Sequence, residues 1–273
     1  MNSLGELAKL PAFLRRDLRI AISYRTATVS GLVGTAAEAV VFAFIAKLVD
    51  PSRMPQFGTT RATYLEFVMI GVGLNMIVLL LVHQLATAIR NEQMMGTLES
   101  LLATPTKLAT MQAGSAAFEL LYIPLRVGVF VALIAAIFGL DYHAGGMLPT
   151  LAILLGFVPF LWGLGLLGAG AIVTFRRGVG AVAVGGTLLG LASGAFFPLA
   201  LLPHWLQTVA AKNPLAIAIY GVREALIGGT GWAPAGTALV ELVPLSILAL
   251  VAGAFAFRLA LARERRNGTL GLY

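Results

Sequence analysis

The sequence predicts an all-α integral membrane protein that crosses the bilayer with six helices. Hydrophobic residues make up 59% of the 273-residue chain and charged residues 11%, and the mean hydropathy is +0.90. A typical soluble domain carries about 25% charged residues, so this composition fits a bilayer rather than water as the solvent. Several apolar runs are also about 20 residues long, the length that a helix needs to cross about 30 Å of hydrocarbon.

The first 25 residues have the pattern of an amphipathic helix that lies along the membrane surface. Apolar and charged residues alternate with a helical rhythm, which Pro11 interrupts. Two interpretations stay open: the segment anchors the topology, or it is an elbow helix that also contacts a cytoplasmic partner. The apolar positions are Leu4, Leu7, Leu10, Phe13, Leu14, Leu18 and Ile20, and the charged ones are Lys9, Arg15, Arg16, Asp17 and Arg19.

Six apolar runs follow, each long enough to cross a bilayer. No segment between them is large enough to form a separate core. The sequence therefore predicts one transmembrane domain over residues 1–273, with the spans within 26–258 and a basic cytoplasmic tail at 259–273. The predicted spans are Thr26–Val49, Leu65–Ile89, Met111–Leu140, Leu148–Thr174, Val179–Leu202 and Gly236–Phe257.

The placement of Lys and Arg orients these spans, because basic residues accumulate in segments that stay in the cytoplasm. With the N-terminus inside, 13 basic residues lie on the cytoplasmic side and five outside, and Arg126 lies within a span. Both termini are therefore predicted to be cytoplasmic. The five outside are Lys47, Arg53, Arg61, Lys212 and Arg223.

Composition and motifs also argue against several classes of function. The pI is near 10.1, but the basic residues lie at span ends rather than along one surface with aromatics, so we expect no nucleic-acid partner. Cysteine is absent and the three histidines are scattered, so we expect no metal site. No phosphate-binding loop or other catalytic motif is present, which predicts no catalytic residues and no cofactor bound by this chain.

A polar segment with a helical pattern separates the second and third spans. Apolar residues recur at helical spacing from Glu92 to Ala103, Glu92 and Glu99 share a face, and Pro105 ends the helix. One interpretation is a lever on which a cytoplasmic partner docks, and the other is a membrane-surface helix without a partner. The apolar positions are Met95, Leu98, Leu101 and Leu102.

The segment from Pro198 to about Thr230 is too polar for a seventh span and too apolar for a free loop. It favours two short helices that dip into the outer leaflet, with a break at Asn213 and Pro214. The alternative is a surface loop that carries Trp205 at the membrane interface.

Charged residues inside spans are costly and need a reason. Glu38 in the first span and Arg126 in the third lie at similar depths, about 18 to 22 Å from the cytoplasmic side at 1.5 Å per residue. They are predicted to pair, whereas Glu119 lies about 10 Å from Arg126 along the helix axis. Structural pairing is favoured over contact with a substrate.

The segment between the second and third spans resembles that of type-two ABC exporter permeases, the membrane halves of ATP-binding-cassette exporters. The similarity rests on Gly96-Thr97-Leu98-Glu99 and on Leu101-Leu102-Ala103-Thr104-Pro105. Further features agree in order along the chain: Arg16-Asp17, Tyr24-Arg25, Phe197-Pro198-Leu199, Leu202-Pro203-His204-Trp205-Leu206, Asn213-Pro214, Arg223 and Gly268-Thr269-Leu270.

The resemblance implies a transport role and a set of partners. It implies two permease subunits, identical or related, above two separate ABC ATPase subunits that bind ATP and Mg²⁺, in the cell membrane of a prokaryote. It also implies that residues 92–105 are an ATPase-coupling helix and that the re-entrant helices cap the translocation route on the outer side. An amphipathic, lipid-like or drug-like substrate is expected. A polysaccharide or glycolipid exporter, and a proton-coupled secondary transporter that uses Glu38, Glu119 and Arg126, stay as alternatives.

Overall fold

The computed structural model describes residues 10–23, 37, 40–94, 108–175 and 179–267. Within these ranges the chain is mostly helical, with one short antiparallel hairpin of β1 (Gln56–Phe57) and β2 (Thr60–Arg61). A helical stretch at 40–46 precedes the hairpin. The helices are α1 (Leu10–Ser23), α2 (Tyr64–Met94), α3 (Leu108–Phe138), α4 (Met147–Phe175), α5 (Val179–Leu191), α6 (His204–Ala211), α7 (Pro214–Leu226) and α8 (Trp232–Asn267).

Helix α2 forms the centre of the bundle. In its most apolar stretch 83% of the residues are buried, compared with 22% in α3 and 22% in α8. Helices α3, α4, α5 and α7 all pack against α2, and α8 packs along α4. Within the described residues α2, α3, α4 and α8 are long and apolar enough to cross a membrane, and the outward faces of α3 and α8 carry the exposed apolar side chains that lipid requires.

Three connecting segments meet at one end of the bundle: the segment before α2, the loop after α3 and the end of α7. They lie on the same side because successive spans run in opposite directions. The backbone N–H of His143, after α3, donates to the carbonyl oxygen of Leu226 at the end of α7 at 2.7 Å. The Tyr142 hydroxyl donates to the Glu66 carbonyl oxygen in the first turn of α2 at 3.2 Å. The hairpin joins the same end, because the Gly58 N–H donates to a Glu224 carboxylate oxygen at 3.1 Å. We call this the hairpin end.

The start of α2 is fixed by its own sequence. Thr63 and Glu66 form a capping box: the Thr63 N–H donates to Glu66 Oε2 at 2.8 Å, and the Glu66 N–H donates to Thr63 Oγ1 at 3.3 Å. The second Glu66 carboxylate oxygen accepts the Asp141 N–H at 3.3 Å, so the same side chain ties the loop after α3 to the start of α2.

The predicted spans correspond unevenly to these helices. Helices α2, α3, α4 and α8 overlap the second, third, fourth and sixth predicted spans. The first predicted span lies mostly outside the described residues. Helix α8 runs on to Asn267, so the helix continues past residue 258, the predicted boundary between span and tail, and Arg258 and Arg263 lie on it.

The fifth predicted span, Val179–Leu202, is wrong in its extent. Helix α5 ends at Leu191, 11 residues early, and the chain continues through turns to a 3-10 turn at Leu199–Leu201. Gly194 adopts a φ of 72°, which a helix cannot contain. An apolar run predicts burial, but it does not show whether side chains elsewhere in the fold replace the helical hydrogen bonds.

Small residues bring α4 and α8 together. A side chain at Gly163 would meet the backbone of Ala249, and one at Gly253 would meet the backbone of Gly163. Such close approach is how helices associate in a bilayer, where apolar surface alone provides no preference for protein over lipid.

Candidate functional site

The predicted coupling segment lies almost entirely outside the described residues. The residues concerned are Met95, Gly96, Thr97, Leu98, Glu99, Leu102, Thr104 and Pro105. Glu92 lies within the described part, but it belongs to the last turn of α2, which continues to Met94. The predicted coupling segment therefore begins inside α2, and no break separates it from that helix at Glu92.

The predicted charged pair within the membrane is only half described. Glu38 lies outside the described residues, and Arg126 is half-buried on α3. The pairing of Glu38 with Arg126 stays a prediction. Glu119 is half-buried and accepts a hydrogen bond from Gln84 Nε2 on α2 at 3.0 Å, so it links the second and third predicted spans.

Two short helices, α6 and α7, occupy the predicted cap segment, and prolines mark its boundaries. Pro198 precedes the 3-10 turn, Pro203 is the N-cap of α6, and Pro214 is the first residue of α7. Trp205 on α6 is 70% exposed.

Asn213 joins the end of α5 to the start of α7. Its Oδ1 accepts the Leu215 N–H at 3.0 Å and so caps α7. Its Nδ2 donates to the carbonyl oxygens of Leu189 at 2.9 Å and Ala192 at 3.2 Å, where α5 ends. One buried amide thus satisfies backbone groups at the ends of two helices, which explains why α5 can end inside the bundle.

Asn213 variants test this double role. We expect Asn213→Ala to lower the stability of the solubilised protein by about 2–3 kcal/mol, because one cap and two carbonyl partners are lost. Asn213→Asp keeps the oxygen that caps α7 but cannot donate to α5, so it is also expected to melt well below the wild type in thermal unfolding. An Asn213→Asp protein that melts like the wild type would show that the bonds to Leu189 and Ala192 contribute nothing.

Arg223 fixes the irregular backbone that follows α5. Its Nη1 donates to the Gly194 carbonyl oxygen at 3.0 Å and its Nη2 to that of Ala195 at 3.2 Å. Nε and Nη2 both donate to the Phe67 carbonyl oxygen, at 3.1 and 2.8 Å. The guanidinium also lies 3.3 Å from the centre of the Phe67 ring, a cation–π contact. Arg223 is one of the five basic residues predicted to lie outside, but it is 5% exposed and acts inside the protein.

Tyr142, in the loop after α3, lies near both Glu66 and Arg223. Burial, together with the nearby Glu66 carboxylate, raises the pKa of Tyr142 well above its usual range, and the charge of Arg223 offsets this only in part. The phenol therefore stays protonated at any physiological pH. It keeps donating its hydrogen bond to the Glu66 carbonyl oxygen.

A cavity of about 830 Å³ opens between α7 and α8 near the hairpin end. Polar groups from three elements line it: Gln56 and Gly58 from the hairpin, Tyr220 and Glu224 from α7, and Thr237 and Glu241 from α8. Its volume lies within the range of about 300–1,000 Å³ that is usual for small-molecule sites.

Comparison with known families assigns most of this chain. A family model described as ABC-2 type transporter matches residues 10–227, which include α1 to α7. The chain belongs to the ABC-2 type transporter family. It is accordingly the membrane-embedded permease subunit of an ABC transporter, and permeases of this family typically work with an ATPase. No curated protein sequence matches the chain.

Glu241 of the permease is a site residue that was not predicted from sequence. It lies within the predicted sixth span, at Gly236–Phe257, and the rule that singled out Glu38 and Arg126 applies to it equally. Glu224 was missed for another reason. The local sequence predicts that its neighbour Arg223 lies in an outer loop, and nothing in that pattern shows that the Glu224 carboxylate folds back onto the hairpin.

Proposed function

We propose that the permease is one half of an ATP-driven exporter that moves an amphipathic, lipid-like or drug-like molecule outward. The family match over residues 10–227 carries this proposal. The sequence lacks a phosphate-binding loop, so ATP and Mg²⁺ belong to a separate ATPase, two copies of which would act beneath two permease subunits. Both termini and residues 92–105 face the cytoplasm in this arrangement, in a cell membrane.

The predicted six-span topology is supported by the hairpin end. The start of α2, the end of α3 and the end of α7 meet there through the bonds of Glu66, His143 and Leu226. Few basic residues lie at this end, as a segment outside the cytoplasm requires. The hairpin end is then the outer end.

The depth of the turn between α6 and α7 supports a re-entrant cap. Asn213 bonds to the end of α5, where Gly190 packs directly against the Asn75 side chain. Asn75 lies about 16 Å along α2 from Tyr64, at 1.5 Å per residue. Helix α7 starts near this depth and ends at the outer surface beside His143. Helices α6 and α7 therefore form a re-entrant helix pair that dips into the bundle.

The bonds of Asn213 and Arg223 explain how such a cap tolerates hydrocarbon around it. Irregular backbone survives within a membrane only where protein or water satisfies its polar groups. The carbonyl oxygens of Leu189, Ala192, Gly194 and Ala195 all accept hydrogen bonds from these two side chains.

Isolation of the permease from its native membranes tests the proposal. We expect an affinity-tagged chain to co-purify with an ATPase, and proteoliposomes of the complex to move the amphipathic dye Hoechst 33342 only when ATP is supplied. Transport should run away from the face on which ATP is hydrolysed. Purification without an ATPase, together with dye uptake driven by a proton gradient in liposomes of the permease alone, would replace the exporter with a secondary transporter.

A further inference from the structure

The cavity between α7 and α8 has apolar walls along its length. Leu199 from the 3-10 turn, Ala211 from the end of α6, Ile217 from α7 and Pro234 from α8 line it together with the polar groups named above. The two helices approach each other beside it, where the small residues Gly221 and Ala238 are in contact. A ligand in this cavity would lie mostly against hydrocarbon and aromatic surface.

The contact of Gly221 with Ala238 also fixes where two carboxylates stand. Glu224 lies three residues from Gly221 toward the hairpin end, and Glu241 lies three residues from Ala238 in the opposite direction. At 1.5 Å per residue this places their backbones about 9 Å apart along the helix axes. The apolar walls therefore carry a carboxyl group at two levels along the helices.

Glu224 is held in place by neutral donors. It is 8% exposed, and its two oxygens accept from the Tyr220 hydroxyl at 3.0 Å and the Gly58 N–H at 3.1 Å. Neither donor carries a positive charge. Among the residues that the structure describes, no cation lies within ion-pair distance of this carboxylate.

Glu241 has no such support. It lies on α8 within a helix long and apolar enough to span a membrane, and it makes no hydrogen bond or ion pair with any residue of the described ranges. An ionised side chain in a span is costly and normally faces a cavity where a partner or substrate compensates it. The cavity supplies the space, and the part of the chain that the structure describes supplies no cation.

We propose that this cavity binds an amphipathic organic cation whose apolar body lies between α7 and α8 and whose charge is compensated by Glu241 and Glu224. The family match ends at residue 227, so it assigns no role to Glu241. The inference rests on the proposed exporter only in taking this ligand as a substrate, because binding itself needs neither ATP nor the ATPase.

Two ions of matched size and opposite charge test the site. We expect the solubilised permease to bind tetraphenylphosphonium in equilibrium dialysis and to bind tetraphenylborate at least about tenfold more weakly, since the carboxylates favour only the cation. Glu241→Gln should weaken tetraphenylphosphonium binding by about tenfold while the weak binding of tetraphenylborate stays unchanged or improves.

Asp141→Asn is the control for charge. It removes one exposed carboxylate at the same end of the molecule but away from the cavity, and it should leave both affinities unchanged. Ala211→Trp fills the cavity and should weaken binding of the cation. Thr208→Trp, on the same helix but not in the lining, should not. Glu241 is preferred to Glu224 for substitution because Glu224 also holds the hairpin.

Two results would overturn the proposal: equal affinities for the two ions, which would indicate apolar partitioning, or cation binding that Glu241→Gln leaves intact. These failures are separable from that of the exporter. ATP-driven movement of Hoechst 33342 without charge-selective binding would leave the exporter and remove the site. Selective binding in a chain that isolates without an ATPase would leave the site and remove the exporter.

Discussion

Arg223→Met is expected to lower the melting temperature of the solubilised permease more than any other single substitution in the described part of the chain. The change leaves the carbonyl oxygens of Gly194 and Ala195 without their donor in the protein interior. Each buried acceptor that loses its partner costs about 1–3 kcal/mol, so we expect a loss of about 3 kcal/mol. For a chain of this size that corresponds to about 6–12 °C.

The opposing effect is the cost of burying a guanidinium. Replacing a buried charged group by an apolar one of similar volume is often neutral when the partners are replaced as well. Here the partners are backbone carbonyls, which the substitution cannot remove, so the unmet acceptors decide the sign. Arg223→Lys keeps the charge but cannot reach Phe67, Gly194 and Ala195 together, and it should fall between methionine and the wild type.

Arg258→Met is the matched control for Arg223→Met. Arg258 is an exposed arginine on α8, so its removal should leave the melting temperature within about 1 °C of the wild type. A methionine variant at position 223 that melts with this control would show that the guanidinium does not stabilise the segment after α5.

The spans that could be predicted from sequence are those that obey a local rule. Helices α2, α3 and α4 overlap their predicted runs because length and apolarity alone decide whether a helix fits the bilayer. The capping box of Thr63 and Glu66 is equally local, since its two residues lie three apart.

The end of α5 could not be predicted in this way. Residues 179–202 read as one apolar run, and the side chains that allow the helix to end at Leu191 come from Asn213 and Arg223, more than 20 residues later. The apolar pattern is the same for a helix and for an irregular segment whose carbonyls are satisfied from elsewhere. Only the fold brings these amide and guanidinium donors to the carbonyls.

The candidate site likewise has one part that local sequence predicts and one part that only the fold shows. Glu241 was within reach of sequence analysis, because a carboxylate in a predicted span is a local observation. The cavity itself was not, since it depends on the packing of Gly221 against Ala238 and on the return of the hairpin to Glu224.

Leu98→Asp is expected to abolish coupling between the permease and its ATPase. Residues 92–105 carry the apolar residues Met95, Leu98 and Leu102 at helical spacing and the acidic residues Glu92 and Glu99 on one face. If this face docks in a cleft of the ATPase, its apolar ridge fills a groove and its carboxylates meet basic groups. An aspartate in the ridge places an unpaired charge in that groove.

We expect this variant to reach the membrane at wild-type levels, because the substitution lies outside the spans, but to lose co-purification of the ATPase by at least about tenfold. Glu92→Lys and Glu99→Lys should weaken co-purification less than Leu98→Asp does. Because these two variants act through charge, their effect should be larger at low salt than at high salt. Asp141→Lys makes the same charge change at the hairpin end and should have no effect. If the Leu98→Asp permease still recruits the ATPase and drives ATP-dependent transport, residues 92–105 are not the coupling helix. Such a result would show that recruitment does not need the apolar ridge.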